Sequence, residues 1–197
     1  MSTPLRLSNV RNFVNPFRYI VSPEAFDAST SRAVLAWLAS AAPWKLVEAD
    51  FYEQFECSLW DVRLPTTLAF LRAQAFLAVL KTRIAELFEV DLSHRVDITA
   101  HKLVPGQRIR IHNDYIPGAE THRLLMQFNR DWQDDDGGLL LLFNSADPVD
   151  IHKIFRPMHN SAIGFAITAT SYHAVSTIHA GERFTLVYSF YEQPSHG

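Results

Sequence analysis

Two side chains able to hold a metal stand two residues apart in Arg108-Ile109-Arg110-Ile111-His112-Asn113-Asp114-Tyr115. The segment alternates apolar and polar residues as a strand does, and strand side chains two apart point to the same face. On that reading His112 and Asp114 look into one cavity. A third ligand is available at His173, in Ser171-Tyr172-His173-Ala174-Val175-Ser176, 61 residues beyond His112. Two imidazoles and a carboxylate occupy one face of an octahedral Fe(II) and leave three positions for other ligands. A lone His-x-Asp says little in a chain with nine histidines, since any half-buried strand can carry it. The combination says more, because an arginine, Arg183, follows His173 by ten residues at the start of the run Arg183-Phe184-Thr185-Leu186-Val187-Tyr188-Ser189-Phe190.

Such a constellation needs a rigid β scaffold, and the second half of the chain has the texture of one. From about residue 96 short β-rich runs are separated by turns. Val96 to Val104, Arg108 to Asp114, Arg123 to Asn129, Leu139 to Phe143, Asp150 to Phe155, Ser161 to Thr168, His173 to Ile178 and Arg183 to Tyr191 make eight predicted strands. Pro105-Gly106, Asp136-Gly137-Gly138, Asp147-Pro148, Pro157 and Ala180-Gly181 punctuate them. Eight strands are the count of a jelly roll, two sheets packed face to face. The acids Asp134-Asp135-Asp136 lie in one of the turns and read as a solvated run.

The first 95 residues read as mostly helical support. Ser22-Pro23-Glu24 has the pattern of a helix start, followed by Ala33, Val34, Trp37 and Leu38 at helical spacing, with Pro43 ending the segment. Phe51 to Cys57 alternates as a strand added to the edge of a larger sheet. Thr66 to Phe88 carries Leu68, Leu71, Ala75, Leu77, Leu80, Ile84, Leu87 and Phe88 on one stripe and predicts a single long amphipathic helix.

With 197 residues, 48% hydrophobic and 20% charged, the chain suits one domain spanning 1–197, with support in 1–95 and a jelly-roll core in 96–191. A formal charge of −3 supplies no electrostatic reason to expect nucleic acid. No apolar run reaches membrane-helix length, and the first twenty residues lack the apolar core of a signal peptide. Cys57, the single cysteine, can form no internal disulfide, which fits a reducing compartment. The expectation is a cytoplasmic protein without nucleic-acid or membrane partners, with a homo-oligomer left open.

The pattern resembles the 2-oxoglutarate- and Fe(II)-dependent oxygenases, in particular their prolyl-4-hydroxylase-like branch. The resemblance runs from about Ala100 to Tyr191. A glycine turn before the His-x-Asp is matched by Pro105-Gly106, an Asn-x-x-Trp by Asn129-Arg130-Asp131-Trp132, and a Gly-Gly opening the fourth strand by Gly137-Gly138; His173 and Arg183 match the distal histidine and the arginine after it. The chain departs from the pattern at Leu103, where many members have a tyrosine that touches the cosubstrate. Phe51-Tyr52-Glu53-Gln54-Phe55-Glu56 and His112-Asn113-Asp114-Tyr115-Ile116 are similar to a bacterial subgroup linked to tailoring of peptide natural products.

The resemblance implies a mainly β fold with supporting α, a double-stranded β-helix (jelly roll, cupin-like) flanked by N-terminal helices. It implies a dioxygenase using Fe(II), 2-oxoglutarate and O2 to hydroxylate an unactivated C–H of an amino acid, a peptide side chain or a small natural product, releasing succinate and CO2. His112, Asp114 and His173 become the metal ligands and catalytic centre. Arg183 becomes the anchor of the cosubstrate's far carboxylate, a task suited to a planar, permanently charged guanidinium. Thr185 shares its face and is expected to donate to the same carboxylate. Gln127 and Asn129, of one parity on the third strand, are expected to reach the cosubstrate, and His101, Arg110, Tyr115, Arg123 and Trp132 are candidates for the substrate entrance. The acid at 114 argues against halogenation, where related enzymes have a small residue. A non-catalytic cupin-like binding module and a metal-dependent dioxygenase or isomerase working without 2-oxoglutarate are the other readings; neither gives a reason for Arg183.

Overall fold

The computed structural model describes residues 4–193. Its elements, in chain order, are strands β1 (Leu5–Ser8), β2 (Arg11–Phe13), β3 (Tyr19–Ser22) and β4 (Glu24–Phe26), helix α1 (Ala28–Ser40), strands β5 (Lys45–Ala49) and β6 (Tyr52–Ser58), a 3-10 turn (Thr66–Arg72) and helix α2 (Gln74–Phe88). There follow β7 (Leu92–Leu103), β8 (Ile109–His112), β9 (His122–Gln127), β10 (Leu140–Phe143), β11 (Ile151–Phe155), β12 (Ala162–Ala166), β13 (His173–Val175) and β14 (Arg183–Glu192). The eight strands expected beyond residue 96 are all present, their ends moved by a few residues.

The pairing is antiparallel throughout and makes a double-stranded β-helix. One sheet runs β7-β14-β9-β12 and continues through β3 and β2; the other runs β8-β13-β10-β11. The first half is not mostly helical as expected, because β2 and β3 extend one sheet and β1 pairs with β4. The strand expected near 51–57 is β6, which pairs with β7 through Phe55↔Lys102 to Ser58↔Thr99 and forms a hairpin with β5 on its outer side. A single pair, Tyr52↔Ile109, links β6 to β8.

The larger sheet divides its side chains by parity. Phe184, Leu186, Tyr188 and Phe190 of β14 pack with Leu38, Leu71, Phe76, Leu80 and Ile84 in a core shared with the helices. Each of those large apolar groups contributes roughly 1.5–3 kcal/mol on burial, and the Tyr188 hydroxyl donates to the Leu71 carbonyl at 3.0 Å, so no buried polar group is left unpaired there. The opposite parity, Arg183, Thr185, Val187, Ser189 and Tyr191, lines a cavity between the sheets.

Two helix expectations need correction. Helix α1 starts at Ala28, not near Pro23, because Asp27 is the cap: one of its carboxylate oxygens accepts from Ser29 N at 3.0 Å and Thr30 N at 2.9 Å. Ser22 instead donates to the carbonyls of Ser8 and Glu24 at the junction of β3 and β4. The stretch 66–88 is two pieces, broken at Ala73, whose backbone is extended (φ −71°, ψ 136°). The apolar stripe survives the break because Leu68, Leu71, Phe76, Leu80 and Ile84 all reach the same core. No helix among the described residues is long and apolar enough to cross a membrane.

Candidate active site

His112 and His173 are direct cross-strand partners on β8 and β13, with ring centroids 4.2 Å apart. Asp114 joins them from outside the strand. β8 ends at His112, so strand parity is not what turns the carboxylate inward; Asp114 has φ +57°, in the left-handed region that Asp tolerates better than most residues. The loop is fastened where it bends: Asn113 donates to the Ala169 carbonyl at 3.0 Å, and Ser171 Oγ donates to the Asn113 carbonyl at 3.0 Å. Asp114 Oδ1 then lies 3.3 Å from His112 Nε2, and Oδ2 lies 3.1 Å from His173 Nε2.

The donor set fits a divalent metal. One ligand atom from each of the three residues falls within 4.8 Å of the others. Both imidazoles are also held in the tautomer a metal requires. His112 Nδ1 is 2.9 Å from the Arg110 carbonyl and His173 Nδ1 is 2.8 Å from the Ser171 carbonyl. A carbonyl can only accept, so each Nδ1 carries the proton and each Nε2 presents a lone pair to the centre. Burial pushes His173 further toward its neutral form. Burial would raise the Asp114 pKa, but its close contacts with His112 and His173 and the Arg123 charge outweigh it and hold the carboxyl far below its usual range. Phe51 stacks on His112 at 4.4 Å and Phe165 lies 4.7 Å from His173, which shields the centre from bulk water.

Arg183 faces the same cavity from β14. It is 4% exposed, and burial lowers its pKa to about 10. Its Nη1 donates to Thr185 Oγ1 at 3.0 Å, and that hydroxyl donates to Gln127 Oε1 at 3.0 Å across the β14–β9 pair. Nε and Nη2 are buried with no hydrogen-bond partner among the described residues. An edge of a buried guanidinium with unused N–H groups is costly unless an anion fills it. Gly137-Gly138 makes room for this arrangement. A Cβ at Gly137 would lie 1.9 Å from the Thr177 carbonyl oxygen, and one at Gly138 would press on Ile178, the stem of Arg183 and Trp132.

The cavity measures about 350 Å³. His101 and Arg123, expected near the entrance, line it, as do His112, Asp114, His173, Arg183 and Thr185. Arg123 is committed to protein partners: it donates to Asp114 and to Glu120. Several expectations are corrected. Thr185 has its proton engaged by Gln127, so it orients Arg183 instead of offering a donor to a ligand. Gln127 holds Thr185 and is not itself a lining residue. Asn129 is spent on the backbone, donating to the Pro157 and Phe184 carbonyls and accepting from Phe184 N. Trp132 is buried in the core behind Arg183, its indole donating to Gly137 O at 2.9 Å. Arg110 lies in a separate surface depression, and Tyr115 is 46% exposed outside the cavity.

Sequence reasoning missed the part of the sheet beside Arg183 and Thr185. Tyr52, Gln54 and Glu56 of β6 and Asp97 and Thr99 of β7 line the cavity, joined by Glu120, Ser189 and Tyr191. Parity could have found them: Asp97 and Thr99 share a face with His101, and 52, 54 and 56 share one on β6.

A jelly roll carrying a 2-His-1-carboxylate centre beside a buried arginine defines a class of metal-dependent oxygenase scaffold. Residues 98–190, which contain the three metal-binding candidates and Arg183, match the model of the 2OG-Fe(II) oxygenase superfamily; with the His-Asp-His centre this makes the protein a 2-oxoglutarate-dependent dioxygenase using Fe(II), 2-oxoglutarate and O2. The fold is that of prolyl-4-hydroxylase-like members. A Pseudomonas putida prolyl-4-hydroxylase is similar at TM-score 0.71 with 18% identity, over 89% of this chain and 92% of that one. A Trichoplax adhaerens prolyl hydroxylase, solved in complex with a hypoxia inducible factor oxygen degradation domain peptide fragment, is similar at TM-score 0.71 with 14% identity, over 88% and 83%. A viral collagen prolyl hydroxylase from Paramecium Bursaria Chlorella virus-1, solved as a 2OG complex, is similar at TM-score 0.57 with 14% identity, over 87% and 94%. No curated protein matches the chain in sequence.

Proposed function

We propose that residues 1–197 work as one oxygenase domain that hydroxylates an unactivated C–H bond of an amino acid, a peptide side chain or a small natural product. In this reading His112, Asp114 and His173 hold the iron, and Arg183 anchors the far carboxylate of 2-oxoglutarate. The observation that carries it is the buried edge of Arg183, whose Nε and Nη2 lack partners in the cavity the metal-binding candidates share. A bidentate carboxylate supplies two parallel acceptors to such an edge.

Bound Fe(II) supplies the activation of O2 that couples decarboxylation of 2-oxoglutarate, to succinate and CO2, with oxidation of the substrate. The chain's own residues prepare for this. The carbonyls of Arg110 and Ser171 fix the imidazole tautomers, the relay from Gln127 through Thr185 fixes the plane of Arg183, and Phe51 and Phe165 keep water from the centre. A cavity of about 350 Å³, at the small end of ligand sites, suits the cosubstrate with one side chain or small molecule. A buried unpaired Cys57, its thiol pushed up to about 11 by burial, is compatible with a reducing, cytoplasmic setting.

The test is spectroscopic. Under anaerobic conditions, Fe(II) followed by 2-oxoglutarate should produce the weak visible charge-transfer band of a chelated cosubstrate. Its absence at saturating concentrations of both would reject this assignment of the site.

A further inference from the structure

The wall of the cavity that the cosubstrate does not need carries surplus acceptors. Four carboxylates line the cavity, Glu56, Asp97, Asp114 and Glu120, against two arginines. Glu120 and Asp114 are both bonded to Arg123, and Asp97 is bridged by Arg95 at 3.0 Å and accepts from the Tyr191 hydroxyl. A divalent iron and a dianionic cosubstrate would cancel one another. Glu56 is what remains. Among the described residues no lysine, arginine or histidine forms an ion pair with it, although Lys45 is its cross-strand partner on β5; its hydrogen-bonding neighbours are neutral, the amide of Gln54, whose Nε2 donates at 2.7 Å, and the Tyr52 hydroxyl. The bond from Gln54 fixes the amide orientation and directs Gln54 Oε1 elsewhere. Gln54 is 3% exposed, and Oε1 is buried with no partner. A carboxylate lacking a cation and a buried carbonyl oxygen lacking a donor thus stand two residues apart on one face of β6.

Their place in the sheet separates them from the cosubstrate anchor. Glu56 lies opposite His101, and His101 lies opposite Thr185. At about 4.8 Å per strand spacing, Glu56 is roughly 10 Å across the sheet from Thr185. Between them His101 is held neutral, its pKa down to about 3 through burial and the charges of Arg123 and Arg183, so it does not neutralise Glu56.

We propose that the substrate enters this cavity with a protonated nitrogen, an ammonium or guanidinium at the end of a basic side chain, and that Glu56 and Gln54 receive it. A cation with several N–H donors can satisfy both acceptors at once, and charge-assisted hydrogen bonds are the stronger kind. Glu56 and Gln54 would then be specificity-determining residues of the reaction. The inference rests on the 2-oxoglutarate reading above and deepens it.

The test uses the Fe(II)-loaded enzyme and reads succinate from 2-oxoglutarate with and without probe molecules. The probes are the N-acetyl methylamides of lysine and arginine, with those of norleucine and citrulline as neutral counterparts. Succinate formed in any arm, with or without a probe, checks the cosubstrate reading alone; its complete absence from every arm would reject that reading and this proposal with it. Over the rate without a probe, the lysine or arginine probe should accelerate succinate formation several-fold, with hydroxylated probe seen by mass spectrometry, while the neutral counterparts should not. Glu56→Gln should raise the KM for the cationic probe by tenfold or more and erase the preference over its neutral counterpart. Equal stimulation by charged and neutral members of a pair, a preference that survives in Glu56→Gln, or no stimulation by either cationic probe at millimolar concentration would each overturn the proposal.

Discussion

Two arginines face one cavity, Arg183 buried and Arg123 largely so, and meet the cost of lost water in opposite ways. Arg123 gives its donors to Asp114 and Glu120, and although burial alone would lower its pKa, those two acids raise it. Among the described residues Arg183 meets no acid, only Thr185, and burial drags it down to about 10. The difference separates a side chain that completes the protein from one that awaits something. A paired buried charge positions its partners, here Asp114 beside the histidines. An unpaired one, rigidly oriented through Thr185 and Gln127, presents donors suited to an anion. Histidines take a third route and give up the proton, as His101 and His122 do, with pKa values near 3 and 4.

The largest effect should come from the centre between the arginines. His173→Ala removes one of three protein ligands, so turnover should vanish and Fe(II) affinity should fall on the order of a hundredfold or more in an anaerobic titration. Near-normal iron binding would remove His173 from the ligand set.

Next is the unpaired arginine. Arg183→Ala should weaken 2-oxoglutarate by roughly thirtyfold or more, the equivalent of at least about 2 kcal/mol, while Fe(II) affinity stays put. Arg183→Lys should recover only part, because an ammonium cannot reproduce the two-pronged grip. If both variants bind 2-oxoglutarate normally, the contrast between the arginines collapses.

The paired arginine should behave differently. Arg123→Ala leaves the largely buried Asp114 and Glu120, 11% and 17% exposed, without their shared cation. It should cost about 3 kcal/mol of stability, a fall of roughly 6–12 °C in Tm for a chain of this size, with 2-oxoglutarate affinity little changed.

Histidine neutralisation predicts acid sensitivity. The His122 pKa is lowered from 6.5 to about 4, first by burial and then by the Arg18 charge. Between those values the unfolded chain binds more protons than the folded one, so stability is complete above pH 6.5 and declines as pH falls toward 4. At about 1.4 kcal/mol per unit, the decline from this residue is roughly 2–3 kcal/mol. His122→Phe should flatten the slope of Tm against pH in that window; an unaltered slope would mean that other groups carry it.

The smallest effect has the opposite sign to Arg123→Ala. Arg183→Met replaces a buried unpaired cation by an apolar chain of similar length and leaves the Thr185–Gln127 bond in place, so without cosubstrate the variant should be more stable by about 1 kcal/mol. A loss of stability instead would mean that Arg183 has structural partners of its own.

What could be read without tertiary structure follows from local periodicity and spacing. Eight β-rich runs punctuated by turns marked the jelly roll, and His112, Asp114, His173 and Arg183 could be picked out because a metal centre needs particular residue types and leaves a recognisable interval between them. The first half resisted. Residues 66–88 predict one helix because the apolar stripe is continuous, yet the backbone breaks at Ala73, where packing against a shared core tolerates the turn. Ser22-Pro23-Glu24 satisfies the local rule for a helix start, but long-range pairing of β3 with β12 claims the backbone for a sheet.

At the site, residue types alone could not tell which polar groups were already spoken for. Asn129, Gln127 and Trp132 all have the chemistry to bind a ligand and are all consumed by internal hydrogen bonds. Whether Asp114 meets the histidines was settled by one left-handed residue after the strand, not by strand alternation. The sequence determined the inventory of donors, acceptors and charges, because these are properties of residues. Only the tertiary structure decided which of them remain unpaired after folding, among the described residues Arg183 Nε and Nη2, Gln54 Oε1 and His159 Nδ1, because pairing depends on strand register and burial between segments far apart in the chain.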